Sequence, residues 1–266
     1  MNRIVERFTR LRAAGRKGLV VYIGAGDPDL EATRQLALAF DQAGVDVLEL
    51  GVPFSDPLAD GVVNQLAAQR GLASGTTPKK VLETVAALRR DSALPIVLYI
   101  YYNLIHHHGP EAFIADAAQA GVDGLLVLDL PPEEAEEHYA RMEAADLCPI
   151  CLVAPTTPEE RVALIARPAR GFIYYVSREG VTGMQQTLSE SIGPMTALIR
   201  RHTDLPVAVG FGISTPEQAR EVARHADAVV VGSAVVHRIG EGGRQPDMVP
   251  RVSAFVRSLA EAIKQP

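Results

Sequence analysis

Eight short apolar segments recur along the chain and alternate with segments of helical periodicity. They are LVVYI (19–23), VLEL (47–50), PIVLYI (95–100), GLLVLDL (124–130), CPICLV (148–153), GFIYYV (171–176), PVAVG (206–210) and AVVVG (228–232). Short apolar strands separated by helices are typical of a parallel sheet that helices cover. Eight such units predict an α/β fold of the (β/α)8 type, the TIM barrel. The main rival is an open doubly wound sheet, but the first segment is not followed by the G-x-G-x-x-G fingerprint of dinucleotide-binding sheets.

The segments between the predicted strands show one apolar face at helical spacing, as in 33–42 and 78–89. An additional Arg-rich helix precedes the first strand, where Ile4, Phe8 and Leu11 follow the i, i+4, i+7 pattern. We expect this helix to pack on the barrel; the alternative is an organelle transit peptide. No linker or low-complexity tract interrupts the sequence, so we expect residues 1–266 to form one domain.

Two intervals between the predicted strands are longer than the others. They are 51–94, after the second strand, and 177–205, after the sixth. Extra length after a barrel strand lies at the carboxyl-terminal face, where such barrels carry their active sites. We therefore expect a catalytic loop after the second strand and a lid after the sixth.

Composition excludes several classes of function. The net charge of −6 argues against a broad surface for nucleic acid or acidic membranes. Two Cys in 266 residues do not make a disulfide framework. No apolar run approaches the ~20 residues of a membrane helix. We expect a cytoplasmic protein with neither nucleic-acid nor membrane partners.

Carboxylates cluster around the second predicted strand, in LELGVPFSDPLADG (48–61). Glu49 lies inside the strand, so it faces a low-dielectric region whichever way it points. Burial raises the pKa of a carboxyl group, which suits a group that must both take and give a proton. The alternative is a structural Glu paired with a buried Lys or Arg, but the predicted strands contain neither. Asp60 lies on the long loop beyond this strand and is the second candidate; for Asp60 and Asp56 the alternative is an acid that stabilises a turn.

Glycine-rich turns follow the seventh and eighth strands, in GFGIS (210–214) and VGSAVV (231–236). Backbone N–H groups at such turns and at helix N-termini bind phosphate in many barrels. Ser233 starts the following helix and is a candidate N-cap. The alternative is ordinary turn chemistry between strand and helix. The segment REGVTGMQ (178–185) after the sixth strand could close over the same anion.

Three weaker signals have structural interpretations that we prefer. His106, His107 and His108 are consecutive and cannot easily converge on one metal, so we expect a solvated loop. Cys148 and Cys151 are an odd number of residues apart in a predicted strand, which places their sulfurs on opposite faces. Asp129 ends the fourth strand and could be a third active-site acid, although a loop-fixing or interface role is favoured. Aromatic residues near strand ends, by default core residues, would also suit a flat aromatic ligand; they are Tyr22, Tyr99, Tyr101, Tyr102, Phe172 and Tyr174.

These motifs together resemble the tryptophan synthase alpha subunit family. LELGVPFSDPLADG is similar to its second-strand signature. GDP (26–28), DLPPEE (129–134), SREGVTG (177–183), GFGIS and VGSAVV resemble the same family in the same order. The resemblance covers essentially the whole chain. It implies a (β/α)8 barrel that cleaves indole-3-glycerol phosphate to indole and D-glyceraldehyde 3-phosphate in L-tryptophan biosynthesis.

The resemblance also implies roles for individual residues. Glu49 would be the acid–base, Asp60 would bind the indole N–H, and Tyr174 would help to position both. Phosphate would be held around Gly183, Gly212, Gly232 and Ser233, and indole would lie against Tyr22, Tyr101 and Thr182. No metal is implied. The run Val62-Val63-Asn64-Gln65 departs from the family pattern, which usually has Pro and then an apolar residue before Gln.

The family works with a beta subunit, so the resemblance implies an alpha2-beta2 tetramer in which the partner binds pyridoxal phosphate. This chain would itself need no cofactor. Three alternatives remain open. The chain could be a stand-alone indole-releasing lyase, mainly an activator of a beta partner, or another phosphosugar isomerase or epimerase on the same barrel.

Overall fold

The structure is a computed structural model that describes residues 1–176, 188–210 and 212–264, without the side chains of 188–191. The predicted lid around 177–183 lies outside these residues. Nine strands are present in the described part. They are β1 Gly18–Gly24, β2 Val47–Gly51, β3 Ile96–Ile100, β4 Gly124–Val127, β5 Cys148–Pro149, β6 Cys151–Val153, β7 Ile173–Val176, β8 Val207–Gly210 and β9 Ala228–Val231.

Twelve α-helices alternate with these strands over the same described ranges. They are α1 Arg3–Ala13, α2 Leu30–Ala43, α3 Val62–Ala73, α4 Pro78–Leu88, α5 Tyr102–His108, α6 Pro110–Ala120, α7 Glu136–Ala144, α8 Glu159–Ala166, α9 Leu188–Arg200, α10 Pro216–Ala223, α11 Ser233–Gly242 and α12 Met248–Lys264. The long interval after β2 holds an open loop and an additional helix, α3, before the helix α4 that was predicted at 78–89.

All strand pairs are parallel and the strand order is β5-β4-β3-β2-β1-β9-β8-β7-β6. The two outermost strands are consecutive in the chain and only Ile150 separates them, so the sheet closes on itself. The predicted (β/α)8 barrel is confirmed, with one difference: the predicted strand 148–153 is interrupted. Pro149 has no backbone N–H to donate, which fits the interruption.

Helix α1 closes the amino-terminal end of the barrel. Its buried face, Ile4, Phe8 and Leu11, belongs to the same apolar cluster as the inward-facing strand residues. The Phe8 ring lies 5.4 Å from the ring of Phe172 between centroids. The expected packing helix is therefore confirmed, since burying such a face is what stabilises an amphipathic helix.

Two buried acids attach α1 to the barrel through two of its four arginines. Arg3 pairs with Asp123 at 2.8 Å, and Arg7 pairs with Asp46 at 3.2 Å. Both carboxylates also accept backbone N–H bonds, Asp123 from Ile96 and Asp46 from Leu19. The charges of Arg3 and Arg7 thus compensate two buried carboxylates.

The structure corrects the prediction for the three consecutive histidines. His106, His107 and His108 end helix α5 instead of lying in a loop. The turn signal Gly109-Pro110 marks the boundary between α5 and α6, because Pro is favoured at the first position of a helix. His108 Nε2 lies 2.8 Å from Asp116 Oδ2. Within the described ranges, no three metal-ligating side chains form a group that could hold an ion.

The two cysteines lie on opposite faces of the sheet, as predicted. Cys148 belongs to the cluster inside the barrel and Cys151 to the cluster between the barrel and its helices. Both are free and buried. The helices that the structure describes include none that is both long and apolar enough to cross a membrane.

Candidate active site

Glu49 points into the barrel from the middle of β2. The alternation of β2 sends Val47 and Glu49 inward and Leu48 outward, and Glu49 is only 1% exposed. Its Oε1 atom has no hydrogen-bond partner among the described residues. Burial, and next the nearby charge of Asp60, raise the pKa of Glu49 to about 8. No ion pair involves Glu49 in the described part of the chain, so the structural alternative with a buried Lys or Arg gains no support.

Asp60 reaches the same region from the loop between β2 and α3. Two hydroxyl groups hold its carboxylate: Tyr99 donates to Oδ1 and Tyr101 donates to Oδ2, each at 2.8 Å. The carboxylate is therefore fixed by strand β3 and its end, not by its own turn. Asp56 differs, because it is exposed and accepts a bond from the neighbouring Ser55 hydroxyl.

These two acids border a cavity of about 520 Å³ at the carboxyl-terminal end of the strands. Its walls combine the acids with tyrosine side chains and with glycine-rich backbone. The lining includes Glu49, Asp60, Tyr99, Tyr174, Gly232 and Ser233. Leu128, Leu152 and Val230 add apolar wall. A mainly apolar cleft with a few convergent polar groups is the usual form of a small-molecule site.

Glycines at two strand ends make room for tyrosine hydroxyls in this cavity. A Cβ at Gly51 would collide with the hydroxyl of Tyr22, and a Cβ at Gly210 would lie 2.9 Å from the hydroxyl of Tyr174. Burial raises the pKa of both tyrosines well above the ordinary value, and the charge of Glu49 adds to it. Both hydroxyls consequently remain protonated at physiological pH.

Another part of the cavity wall carries glycine backbone and a helix N-terminus. Gly212 lines it after β8, and Gly232 and Ser233 line it where α11 begins. Ser233 is the first residue of the helix, as predicted, but Gly232 occupies the N-cap position and Ser233 is not the cap. Because the first N–H groups of a helix lack intrahelical partners, this end can bind an anion.

The structure thus brings together most of the predicted site residues. Glu49, Asp60, Tyr174, Tyr22, Gly212, Gly232 and Ser233 all line the cavity. Tyr101 instead lies behind Asp60, where its ring packs on Phe54 at 5.1 Å between centroids. Thr182 and Gly183 lie outside the described residues. Asp129 accepts a bond from the Tyr102 backbone N–H at 2.6 Å, which is the loop-fixing role.

Sequence reasoning gave no individual role to Tyr99, which the structure places at the centre of the site. It lines the cavity and bonds Asp60. Two signals could have found it. Tyr99 follows Val97 by two residues and therefore faces inward with it. It also pairs in register with Gly51, and the missing side chain of this glycine leaves space inside the barrel.

Fold and site place the chain among the (β/α)8-barrel enzymes, with acid–base groups and an anion-binding helix end on one cavity. A profile of the family "Tryptophan synthase alpha chain" matches residues 8–264. The tryptophan synthase alpha chain of Opitutus terrae is 53% identical over 260 residues, which cover 98% of this chain and 97% of that protein. The chain therefore belongs to the tryptophan synthase alpha chain family, and with it to the lyases of tryptophan biosynthesis.

Solved structures agree with this assignment. The tryptophan synthase subunit alpha of Legionella pneumophila superposes with a TM-score of 0.90 at 39% identity, covering 99% of this chain and 98% of that one. A chain of tryptophan synthase from M. tuberculosis gives a TM-score of 0.90 at 33% identity over 100% of both chains.

Proposed function

We propose that this protein cleaves indole-3-glycerol phosphate to indole and D-glyceraldehyde 3-phosphate by a retro-aldol reaction. The observation that carries the proposal is the burial of the Glu49 carboxyl group at the cavity. This group is a buried carboxyl of raised pKa that faces a cavity of about 520 Å³, and the wall of this cavity also includes a glycine-lined helix N-terminus. A group whose pKa lies near the working pH can give and take a proton in one reaction cycle.

The reaction needs one proton donated to carbon and one removed from oxygen. Protonated Glu49 donates its proton to C3 of the indole, which leaves positive charge on the ring nitrogen. The resulting Glu49 carboxylate takes the proton of the side-chain hydroxyl next to C3. The C–O bond becomes a carbonyl, the C–C bond breaks, and its electron pair returns to the indole ring. Glu49 ends protonated, so the cycle closes without a further reagent.

Asp60 and the tyrosines support this chemistry in the proposal. The Asp60 carboxylate accepts a hydrogen bond from the indole N–H group. This hydrogen bond strengthens as positive charge develops on the ring nitrogen. Tyr174 lines the same cavity as Glu49 and is proposed to help position the acid. Tyr22 and Thr182 border the indole in this proposal, and Tyr101 acts on it through Asp60.

The phosphate group of the substrate is assigned to the glycine-lined end of the cavity. Gly212, Gly232 and Ser233 supply backbone and the N-terminus of α11 there, and Gly183 is proposed to join them. Such a site binds an anion through N–H groups without a cationic side chain. The distance between this end and Glu49 then determines which carbon of the substrate meets the acid.

The proposed reaction needs no cofactor or metal in this chain, because an acid–base and an N–H acceptor suffice. A Schiff-base alternative would require a lysine in the cavity wall, and the wall that the described residues form contains none. We also propose that residues 1–266 function as a single barrel domain.

A beta subunit is the proposed partner, in an alpha2-beta2 tetramer whose beta subunits bind pyridoxal phosphate. Large apolar side chains are exposed beside the cavity on the Asp60 loop and α3: Leu58 is 92%, Val62 70% and Leu66 46% exposed. Exposed apolar side chains that lie close together are typical of protein–protein contacts. A partner on this surface would also cover the loop that carries Asp60.

The deciding experiment measures indole release from indole-3-glycerol phosphate by the purified chain, alone and with the beta subunit. Glu49→Gln should lose the activity, and Asp60→Asn should lose most of it. Asp56→Asn, which removes an exposed acid from the same loop, should retain it in the chain alone. Fast release without the partner would support a stand-alone lyase, and partner activation without any cleavage would support an activating subunit. Absence of indole under both conditions would refute the proposed reaction.

A further inference from the structure

Tyr99 joins two parts of the site that the chain brings from different elements. It lies on β3, and its hydroxyl donates to Asp60 Oδ1 on the loop after β2 at 2.8 Å. Its ring packs edge to face on the ring of Tyr22 from β1, with 5.0 Å between centroids. Tyr99 is thus anchored on the barrel while it contacts the loop that carries Asp60.

We propose that Tyr99 is a positioning residue that holds the Asp60 carboxylate in the orientation needed to accept the indole N–H. This inference rests on the function proposed above. The proposal gives Tyr99 no proton to transfer. It acts through Asp60, as a hydroxyl group that fixes one carboxylate oxygen.

Geometry explains why the bond from Tyr101 alone does not suffice. The terminal torsion of an Asp side chain is broad, so a carboxylate held at one oxygen still rotates. Tyr99 holds Oδ1 and Tyr101 holds Oδ2, which fixes the plane of the group. An ionised carboxylate offers about four acceptor positions, so two remain for the substrate.

The position of Tyr99 is itself well determined. It pairs in register with Gly51 on β2, whose missing side chain leaves space for the Tyr22 hydroxyl beside it. Burial, followed by the charge of Asp60, raises the pKa of Tyr99 far above the ordinary value, so its hydroxyl remains a donor at any working pH. A site residue on a strand is held more rigidly than one on a loop.

Tyr99→Phe tests the proposal, because Phe keeps the ring against Tyr22 and removes only the hydroxyl. We expect kcat for indole release to fall about 10- to 100-fold, the usual effect of losing a hydrogen bond to a charged group. KM should change less than about threefold, because the phosphate end is untouched. Amide hydrogen exchange of 56–65 in the free protein should become faster, because the loop loses one of its attachments. Tyr139→Phe is the matched control, since the Tyr139 hydroxyl lies near Cys151 on the outer side of the sheet and should change neither readout.

Each outcome decides one of the two proposals. Lower kcat with faster exchange of 56–65 in Tyr99→Phe supports the positioning role. Unchanged kcat in an active wild-type background overturns it. If the wild-type protein releases no indole, the proposed function fails, and the exchange experiment alone then decides whether Tyr99 holds the Asp60 loop: unchanged exchange overturns the inference.

Discussion

Glu49 and Asp60 face one cavity, but only Asp60 is hydrogen-bonded through both carboxylate oxygens. Tyr99 and Tyr101 hold Asp60 at 2.8 Å each, whereas Glu49 Oε1 has no partner among the residues that the structure describes. Two carboxyl groups in such different surroundings take different roles. The buried one holds a proton to pH values near 8, and the hydrogen-bonded one supplies a fixed acceptor.

The first prediction concerns the pH dependence of indole release. The proposed cycle starts from protonated Glu49, whose pKa is raised to about 8, so kcat/KM should fall about tenfold per pH unit above that value. The charge of Asp60 contributes to this raised pKa. In Asp60→Asn, the residual activity should therefore begin to decline at a lower pH than in the wild type. An inflection that stays at the same pH in this variant would contradict the electrostatic coupling.

The second prediction concerns stability as a function of pH. The pKa of Glu49 is 4.5 for a free side chain and about 8 in the folded protein. Between these values the folded state binds the extra proton, so the free energy of unfolding decreases by about 1.4 kcal/mol per pH unit as pH rises. Glu49→Gln removes this pH-dependent contribution to the free energy of unfolding. Urea unfolding from pH 5 to 8 should show the variant gaining stability relative to the wild type, and parallel curves would refute the raised pKa.

The sequence contained enough information to predict the barrel and the burial of Glu49. Its place in an apolar strand and the absence of basic residues from the strands predicted a buried carboxyl without a Lys or Arg partner, and the structure has both features, whereas the inward direction of Glu49 came from the structure. Strand alternation placed Cys148 and Cys151 on opposite faces. These predictions succeed because a two-residue period within a strand is a local property.

Features that depend on distant contacts were not predicted. Tyr101 follows the last residue of β3, so its direction is set by the Asp60 loop rather than by strand alternation. The helix that ends at His108 depends on packing, for example of Tyr102 against His138. Which residue occupies the N-cap of α11, Gly232 or Ser233, depends on where this helix starts relative to the end of β9.

The third prediction concerns the fit between Gly210 and Tyr174. A Cβ at residue 210 would lie 2.9 Å from the Tyr174 hydroxyl and 3.4 Å from its Cζ atom. Gly210→Ala should therefore cost about 1–3 kcal/mol of stability through overpacking. Adding Tyr174→Phe removes the closer contact and should restore most of this loss. Strictly additive effects of the two substitutions in urea unfolding would show that the two residues do not constrain each other.

The fourth prediction concerns His138, which is buried on α7. Neither ring nitrogen has a hydrogen-bond partner in the described part of the structure, and burial, with Arg141 nearby, lowers the pKa of His138 to about 4. Below pH 6.5 the unfolded state binds a proton that the folded state does not, so stability is lost as pH falls toward 4. His138→Phe keeps a ring against Tyr102 and should reduce this loss. His107→Gln, which replaces an exposed histidine, is the control.

The last prediction compares two neighbouring amides at the start of α3. The buried Oδ1 atom of Asn64 has no hydrogen-bond partner among the described residues, whereas Gln65 Nε2 donates to the Asp60 backbone carbonyl at 2.9 Å. Replacing an unsatisfied polar group with an apolar one of similar size removes a desolvation cost. Asn64→Leu should therefore raise the free energy of unfolding by about 1 kcal/mol, while Gln65→Leu should lower it by a similar amount. Urea unfolding of both variants measures the difference, and a loss of stability in Asn64→Leu would mean that its carboxamide is already satisfied in solution.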